Sequence, residues 1–341
     1  MRVHREDSVL NGQALEQTAG TDRPEERYLF TVFTPTYNRA NTIGRVFESL
    51  SAQTFRDFEW LIVDDGSSDD TESLVRGWQE RNEFPIRYIR QDHGGKHVAF
   101  NRAVREAHGR LFLTLDSDDA CVPNALERFK AHWEGIPEEQ RERFSAVTGL
   151  CRTQDGKTVG RPFPTDPLDS DSLEMAYRYR MAHEKWGFQR TDVLRQFPFP
   201  EDVEGNYVPE SYVWHRIARH YKTRYVNDTL RIYWTEGESL LRQTDPGHNA
   251  GARRVYYLFV LNTEMDWFRF APKRFFKTAV QYARFSYHAG LGSWRQFREV
   301  KPLSAKALFL AAAPVARVLF ARDARSRPSA PAPSRDEVVS V

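Results

Sequence analysis

The sequence predicts an α/β fold in which a mainly parallel sheet is flanked by helices and followed by a helical, basic C-terminal extension. Two observations lead to this prediction. Between Tyr28 and Trp133, β-rich segments alternate four times with helical segments, and each β-rich segment runs into a polar cluster. Strands that alternate with helices of this length are typical of a parallel, doubly wound sheet.

The first two strand–helix pairs have clear local signals. Tyr28–Thr34 is β-rich and reads as a buried strand. In the next segment, apolar residues from Ile43 to Leu50 recur at helical spacing, and Asn41 can cap that helix. The second strand, FEWLIVD, leads into DDTESLVRGWQE, a predicted helix whose acidic first turn suits the helix dipole.

The next two pairs are IRYIRQ with KHVAFNRAVREAHG and RLFLTLD with PNALERFKAHW. Gly109 is a plausible stop for the third helix, and Pro123 lies near the first turn of the fourth. The segment FSAVTGLCRTQDGKTVGRPF then predicts two short strands around an Asp155-Gly156 turn. We therefore divide residues 28–250 into a half that ends at residue 144 and a mixed half, 145–250.

Charge is distributed unevenly in this chain of 341 residues with a net charge of +2. Residues 251–341 hold 16 Lys/Arg against 6 Asp/Glu, so the C-terminal end is basic and could meet anionic lipid, nucleic acid or an acidic substrate. We predict a helical region over 251–321. We also predict a disordered leader over 1–27 and a disordered tail over 322–341, because both segments are polar or rich in Pro and Ser.

Two features bear on the compartment. With only two cysteines, Cys121 and Cys151, the sequence predicts no disulfide framework, and a reducing, cytoplasmic location fits best. The apolar segment Ala305–Ala321 is interrupted by Pro314 and two basic residues. It could lie on a membrane as an interfacial helix, or it could pack on the body of the protein.

The polar clusters TPTYNR, DDGSSDD, DHGGK and DSDD follow the four strands in turn. The carboxyl ends of parallel strands share one edge of a sheet, so we expect the four loops to form one ligand crevice. Asp116, Asp118 and Asp119 crowd into four positions, where they repel each other unless a cation neutralises them. A hard divalent ion would do so. An EF-hand is excluded because Ala120 and Cys121 replace a ligand and a glycine.

The segments FTPTYNR, LIVDDGSSDDT and GGKHVAFNRAVREAHGRLFLTLDSDD, with their spacing, resemble the inverting glycosyltransferases of family 2, which have a GT-A fold. The resemblance covers about residues 30–243. It implies a nucleotide-diphospho-sugar donor and Mg²⁺ or Mn²⁺ as cofactor. The sequence contains neither a G-x-G-x-x-G nor a G-x-x-x-x-G-K-[ST] motif. A nucleotide would therefore have to be held in another way.

The resemblance also implies roles for individual residues. Pro35, Tyr37 and Asn38 match the loop beside the nucleobase, and Asp65 matches the residue that holds the base. Asp118 would bind the metal, and Asp116 would contact the metal or the ribose, whereas Asp119 would point into the fold or cap a helix. The resemblance therefore implies that donor or metal is bound by Pro35, Tyr37, Asn38, Asp65, Lys96, Asp116 and Asp118.

The sequence departs from the family pattern at two places. Phe100-Asn101 stands where relatives often have Arg-Asn, so Lys96 is the candidate cation for the diphosphate. An acidic pair usually contains the catalytic base, but here Glu210 is followed by Ser211. Glu210 is the candidate base, and Asp202 and Glu204 remain alternatives.

The resemblance implies transfer of a sugar to a hydroxyl acceptor in glycan or polysaccharide synthesis. The acceptor would be a glycan or a lipid-linked molecule, with no nucleic acid involved. The protein would be cytoplasmic, with peripheral contact at the inner face of the membrane through its C-terminal region. Two alternatives stay open. One is a nucleotidyltransferase that makes the activated sugar. Such enzymes carry a glycine-rich loop after the first strand, whereas TPTYNRAN contains no glycine. The other is a non-catalytic module that binds nucleotide-sugar or carbohydrate.

Overall fold

The computed structural model of the protein describes residues 25–203, 205, 208–234, 247 and 249–326. The predicted leader and tail therefore lie largely outside the described residues, as does Glu204. The strands are β1 (Tyr28–Thr36), β2 (Phe58–Asp64), β3 (Ile86–Arg90), β4 (Gly109–Thr114), β5 (Ala120–Cys121), β6 (Phe144–Thr153), β7 (Leu168–Ser170), β8 (Lys185–Arg190) and β9 (Lys222–Tyr233).

Twelve α-helices complete the described part of the chain. They are α1 (Gly44–Ser51), α2 (Thr71–Arg81), α3 (Lys96–Glu106), α4 (Ala125–Glu134), α5 (Glu138–Arg141), α6 (Ser172–Tyr177), α7 (Thr191–Leu194), α8 (Ser211–Ile217), α9 (Ala250–Thr263), α10 (Pro272–His288), α11 (Ser293–Glu299) and α12 (Leu303–Ser326). A 3₁₀ helix, Met265–Phe270, joins α9 to α10.

The nine strands form one sheet in the order β3-β2-β1-β4-β8-β6-β9-β5, with β7 paired to β9. The first four strands are parallel to one another. β8 runs antiparallel to both β4 and β6, whereas β6 and β9 are parallel. The predicted mixed, mainly parallel α/β fold is therefore confirmed, and the antiparallel strand β8 marks where the doubly wound half ends.

The two faces of the sheet bury different helices because side chains alternate along each strand. On one face, Phe30 and Val32 of β1 pack with α1, α2 and α4. On the other face, Phe33 packs with α3, α7 and α8. The helical spacing from Ile43 to Leu50 is what turns these side chains inward, since Ile43, Val46 and Leu50 are fully buried.

Gly109 does not end a helix as predicted; it is the first residue of β4, and α3 already ends at Glu106. A Cβ at Gly109 would lie 2.1 Å from the backbone nitrogen of Thr31 in β1. The glycine is therefore needed for close strand pairing. The predicted cap also differs, because the N-cap of α1 is Ile43, without a side-chain hydrogen bond, rather than Asn41.

The predicted hairpin around Asp155-Gly156 is only partly formed. β6 is one strand of ten residues that enters the turn, and Gly156 adopts a positive φ of 84°. The returning segment makes a single isolated bridge, Arg152 to Thr158. Two short strands are thus replaced by one long strand, because β6 is held along its length by β8 and β9.

The C-terminal helices form a second core. Leu261 of α9, Ala279 of α10 and Phe309 of α12 are fully or almost fully buried in one cluster. A buried network joins this region to the sheet domain: Glu264 accepts a hydrogen bond from the Tyr177 hydroxyl, and its other oxygen lies 3.0 Å from His215 Nδ1. The last helix continues through Ser326, so the predicted boundary at residue 321 is five residues short.

Candidate active site

The loops after β1, β2, β3 and β4 converge on one cavity of about 990 Å³. Each loop contributes residues that the sequence singled out, and Glu210, which precedes α8, also lines the cavity. Among the predicted site residues, the cavity is lined by Pro35, Tyr37, Asp65, Lys96, Asp116, Asp118 and Glu210. The parallel strands bring these positions together because their carboxyl ends share an edge.

Lys96 lies between two of these carboxylates. Its Nζ is 2.7 Å from Asp116 Oδ1 and 3.1 Å from Glu210 Oε1. Burial by itself would favour the neutral amine, but the two carboxylates outweigh it and raise the pKa of Lys96. Lys96 therefore stays protonated between Asp116, which follows the fourth strand, and Glu210.

Asp116 contacts a second cation, Arg231 of β9. Arg231 Nη2 is 3.3 Å from Asp116 Oδ2, so each carboxylate oxygen faces a different basic group. Burial would raise the pKa of Asp116, but Lys96 and Arg231 outweigh it and lower that pKa. Asp116 therefore stays ionised, with its charge already neutralised by the protein.

Asp119 points into the fold. Its side chain is almost fully buried, and Arg231 Nε donates to its Oδ2 at 2.7 Å. The same carboxylate accepts a hydrogen bond from the backbone N–H of Trp234 at 3.2 Å. Asp119 thus fixes Arg231 and the end of β9, and it is not among the residues that line the cavity.

Asp118 differs from its two neighbours. It lines the cavity, and within the described residues no donor is hydrogen-bonded to its carboxylate. Its backbone oxygen accepts a hydrogen bond from Arg45 at 3.2 Å, and the Arg45 guanidinium lies 4.0 Å from the centre of the Trp234 ring. The backbone of Asp118 is therefore held while its side chain is available to a ligand.

Asp65 holds the loop between β3 and α3. Its carboxylate accepts hydrogen bonds from Gly94 N at 2.9 Å and Gly95 N at 2.8 Å, and it also contacts Gln91 and His93. Gly95 has a positive φ of 91°, which glycine adopts without strain. The two glycines let the backbone close around Asp65 and place Lys96 at the start of α3.

Tyr37 and Asn38 have different surroundings. Tyr37 is 47% exposed at the cavity, with its ring centroid 4.5 Å from that of His93. Asn38 is not among the lining residues; its N–H donates to Ser67 Oγ and its side chain accepts from Ser68 N, both at 2.8 Å. Asn38 therefore braces two loops, and the exposed aromatic pair offers a flat surface for a planar group.

Comparisons with known proteins identify relatives of this chain. Residues 31–186 match the family model of glycosyl transferase family 2. This part of the chain is a family 2 glycosyltransferase domain. A relative from Campylobacter jejuni, a GalNAc(5)-diNAcBac-PP-undecaprenol beta-1,3-glucosyltransferase, is 26% identical over 76% of this chain and 82% of its own length. An uncharacterized glycosyltransferase of Mycoplasma pneumoniae is 37% identical, but the match covers only 31% of this chain and 37% of that protein.

The fold of the glycosyltransferase is shared with a solved structure. The crystal structure of S. aureus TarS 1-349 in complex with UDP-GlcNAc matches with a TM-score of 0.56 and 18% identity, over 87% of this chain and 89% of that one. At this identity the likeness shows a common GT-A fold. The identification as an enzyme disfavours the non-catalytic module considered from the sequence.

The candidate bases can now be compared by position. Glu210 lines the cavity of the glycosyltransferase beside Lys96, whereas Asp202 is not among its lining residues. Glu184, which the sequence did not single out, also lines the cavity, with one oxygen 4.0 Å from Arg231. Glu210 thus remains the leading candidate, and Glu184 replaces Asp202 as the alternative.

The residues present fit a divalent cation that is held mainly by the phosphate oxygens of a bound donor. Within the described part of the chain, no cluster of three or more His, Cys, Asp or Glu residues could hold a metal ion. Asp118 would supply a carboxylate oxygen, a ligand that Mg²⁺ and Mn²⁺ prefer, and phosphate oxygens would supply others. Asp116 could join only by giving up a contact with Lys96 or Arg231.

Arg231 is the main residue that sequence reasoning missed. It lies in β9, 112 residues from Asp119, and no motif surrounds it. Only the antiparallel register of β5 and β9, which pairs Cys121 with Arg231, brings it beside the acidic cluster. Trp186 is buried against Phe129, and its indole N–H donates to Thr114 O.

Proposed function

We propose that this glycosyltransferase moves a sugar from a nucleotide-diphosphate donor to a hydroxyl of a lipid-linked glycan, with inversion at the anomeric carbon. The observation that carries the proposal is Lys96, held between Asp116 and Glu210 in the cavity beside Asp118. A fixed cation beside a candidate base suits a reaction in which a hydroxyl loses a proton and a diphosphate departs.

The donor would lie along the strand ends. Tyr37 and His93 offer an aromatic surface for the base, and the Asp65-bound loop places Lys96 toward the diphosphate. Mg²⁺ or Mn²⁺ bound at Asp118 would neutralise negative charge on the leaving diphosphate. The UDP-GlcNAc complex of TarS supports a uridine diphosphate sugar as one donor class to test.

The reaction would be one displacement. Glu210 takes the proton of the acceptor hydroxyl, whose oxygen forms a bond to the anomeric carbon as the bond from that carbon to the diphosphate oxygen breaks. Lys96 faces the charge that develops on the diphosphate. Glu210 is 43% exposed, so an acceptor can reach it from the open side of the cavity. Acceptor selection would belong to the second half, because the partly exposed His183, Lys185 and Tyr233 line the same cavity.

The name of the Campylobacter jejuni relative supports a polyprenyl-diphosphate-linked glycan as the acceptor class. Such an acceptor implies that the protein works in the cytoplasm at the inner face of the membrane. A nucleotidyltransferase would release pyrophosphate from a nucleoside triphosphate, whereas the proposed reaction releases a nucleoside diphosphate. The released nucleotide therefore distinguishes the two activities.

The proposal is tested by release of nucleoside diphosphate from a panel of UDP-, GDP- and dTDP-sugars in Mn²⁺, with water as acceptor. We expect Glu210→Gln to lower the rate roughly 10²–10⁴-fold, as loss of a general base does. The matched control, Glu184→Gln, removes the other candidate carboxylate and should change the rate only a few-fold. A Glu210→Gln variant as active as the wild type would overturn the assignment of the base.

A further inference from the structure

The outward face of α12 is apolar along most of the helix. The exposed apolar residues are Leu303, Ala307, Leu310, Ala311, Pro314, Val315, Val318 and Ala321. At about 100° per residue, they fall in one continuous stripe, which we call the outward stripe. Its large side chains are well exposed, since Leu303 is 84%, Leu310 60% and Val318 70% accessible.

The opposite face of α12 is buried. Ala305, Phe309, Ala312 and Ala316 pack in the cluster that contains Ala279 and Ala283 of α10. The helix is therefore apolar on both sides, whereas a helix on the surface of a soluble protein normally has a polar outer face. An apolar stripe of this length in water indicates a surface that meets another apolar phase.

Basic residues flank and follow the outward stripe. Exposed Arg317 lies beside it, and exposed Arg322 and Arg325 follow Ala321 at its C-terminal end. They belong to a C-terminal region with 16 Lys/Arg against 6 Asp/Glu over residues 251–341. A second copy of the chain on this face would bring like charges together, whereas a surface of anionic lipid would attract them. The charge therefore favours an anionic membrane over a second copy of the chain as the partner of this face.

We propose that α12 lies in the interfacial layer of an anionic membrane, with the outward stripe in the acyl boundary and the arginines among the headgroups. Apolar area and basic charge act together in such helices. The identity of the membrane-bound substrate rests on the proposed function, but the docking of α12 does not.

The segment Leu303–Asp323 is also long and apolar enough to cross a membrane, with 21 residues and a mean hydropathy of 1.6. Its end is nevertheless attached to α10: Arg284 donates to both oxygens of Asp323 at 2.6 Å, and His288 Nε2 lies 2.9 Å from the same carboxylate. Crossing the bilayer would require loss of this ion pair and of the packing of Phe309. We therefore infer that α12 lies along the surface.

Helix α12, which carries the outward stripe, is connected to the active site by packed helices. Tyr212 of α8, two residues after Glu210, contacts Phe259 of α9 with ring centroids 4.7 Å apart. Leu261 of α9 is in the same cluster as Phe309 of α12. Docking of α12 would thus hold the cavity near the surface in which a lipid-linked acceptor resides.

The test is co-sedimentation of the full chain with vesicles of phosphatidylglycerol and phosphatidylcholine in equal parts, and with pure phosphatidylcholine. We expect binding to the anionic vesicles and at least tenfold weaker binding to the neutral ones. Leu310→Ser with Val318→Ser should weaken anionic-vesicle binding by roughly tenfold or more, because both side chains lose apolar burial. The matched control is Leu74→Ser on α2, where the leucine is 38% exposed, and it should bind as the wild type does.

Wild-type protein that stays in the supernatant with both vesicles would overturn the proposal, as would a stripe variant that binds like the wild type. Light scattering tests whether a second copy of the chain covers the stripe instead. If the wild type were a dimer that does not bind vesicles, and the stripe variant were a monomer, the stripe would be a dimer interface and the proposal would be overturned. Nucleotide-sugar binding, measured in the same samples without vesicles, reports separately on the proposed function.

Discussion

At the scale of single residues, the three crowded aspartates have separate surroundings. Asp119 is buried on Arg231, Asp116 is shared by Lys96 and Arg231, and Asp118 faces the cavity. The repulsion expected from the sequence is therefore removed by two protein cations, and only Asp118 is left for an external ion. Of the three acids, Asp118 is therefore the one that we propose as a metal ligand.

Lys96 is predicted to contribute through its charge. Lys96→Met removes the cation between Asp116 and Glu210, and we expect kcat/KM to fall roughly 10²-fold or more, as when a preorganised electrostatic group is lost. Lys96→Arg keeps the charge and should retain more of the activity. Initial rates of nucleoside diphosphate release would show this. A Met variant with wild-type kcat/KM and an intact circular dichroism spectrum would contradict a catalytic role for Lys96.

Arg231 is predicted to stabilise the fold through its buried ion pair. Arg231→Met leaves Asp119 as an uncompensated buried charge, and the free energy of unfolding should fall by about 3–5 kcal/mol. Replacing both partners, as Arg231→Met with Asp119→Leu, should recover much of that loss, because no charge is left unpaired. Urea unfolding measures the difference. Equal stability of the single and double variants would argue against the pairing.

At the scale of elements, close approach of β1 and β4 depends on Gly109. Gly109→Ala would place a Cβ 2.1 Å from the backbone nitrogen of Thr31, so the strands must shift. We expect a loss of about 1–3 kcal/mol or more in the free energy of unfolding. Gly44→Ala, in a helix and with nothing within 4 Å of the new Cβ, is the matched control and should be neutral or slightly stabilising. Similar unfolding midpoints for both variants would contradict this account.

The elements and loops were predictable from sequence to the extent that their signals are local. The four strand–helix pairs follow from periodicity, and the convergence of Asp65, Lys96 and Asp118 follows from the edge that parallel strands share. Arg231 could not be predicted, because its place depends on a register between segments more than a hundred residues apart. Gly109 was misread because glycine after a helix fits both a cap and a strand start.

At the scale of the whole molecule, a buried network ties the C-terminal helices to the catalytic domain. Glu264 is 1% exposed and contacts both Tyr177 of α6 and His215 of α8. Glu264→Ala leaves two buried polar groups without this partner, at a cost of about 1–3 kcal/mol each. We expect faster hydrogen exchange in α9 and α8 and a lower unfolding midpoint.

Asp266→Ala provides the comparison for that network. It removes an ion pair with Arg219 in which the Asp266 side chain is 57% exposed, and such pairs contribute about 0–1 kcal/mol. If Asp266→Ala lowered the unfolding midpoint as much as Glu264→Ala, the buried network would not be what joins the two parts.

The central claim is that the cavity at the strand ends binds a nucleotide-sugar with a divalent cation held by Asp118. It is tested most directly by calorimetric titration of UDP-GlcNAc, and then of other UDP-, GDP- and dTDP-sugars, with and without Mn²⁺. We predict that one donor binds the wild type far more tightly in Mn²⁺, and that Asp118→Asn abolishes this dependence on the ion. Binding of that donor to Asp118→Asn with unchanged affinity and unchanged dependence on Mn²⁺ would contradict the account.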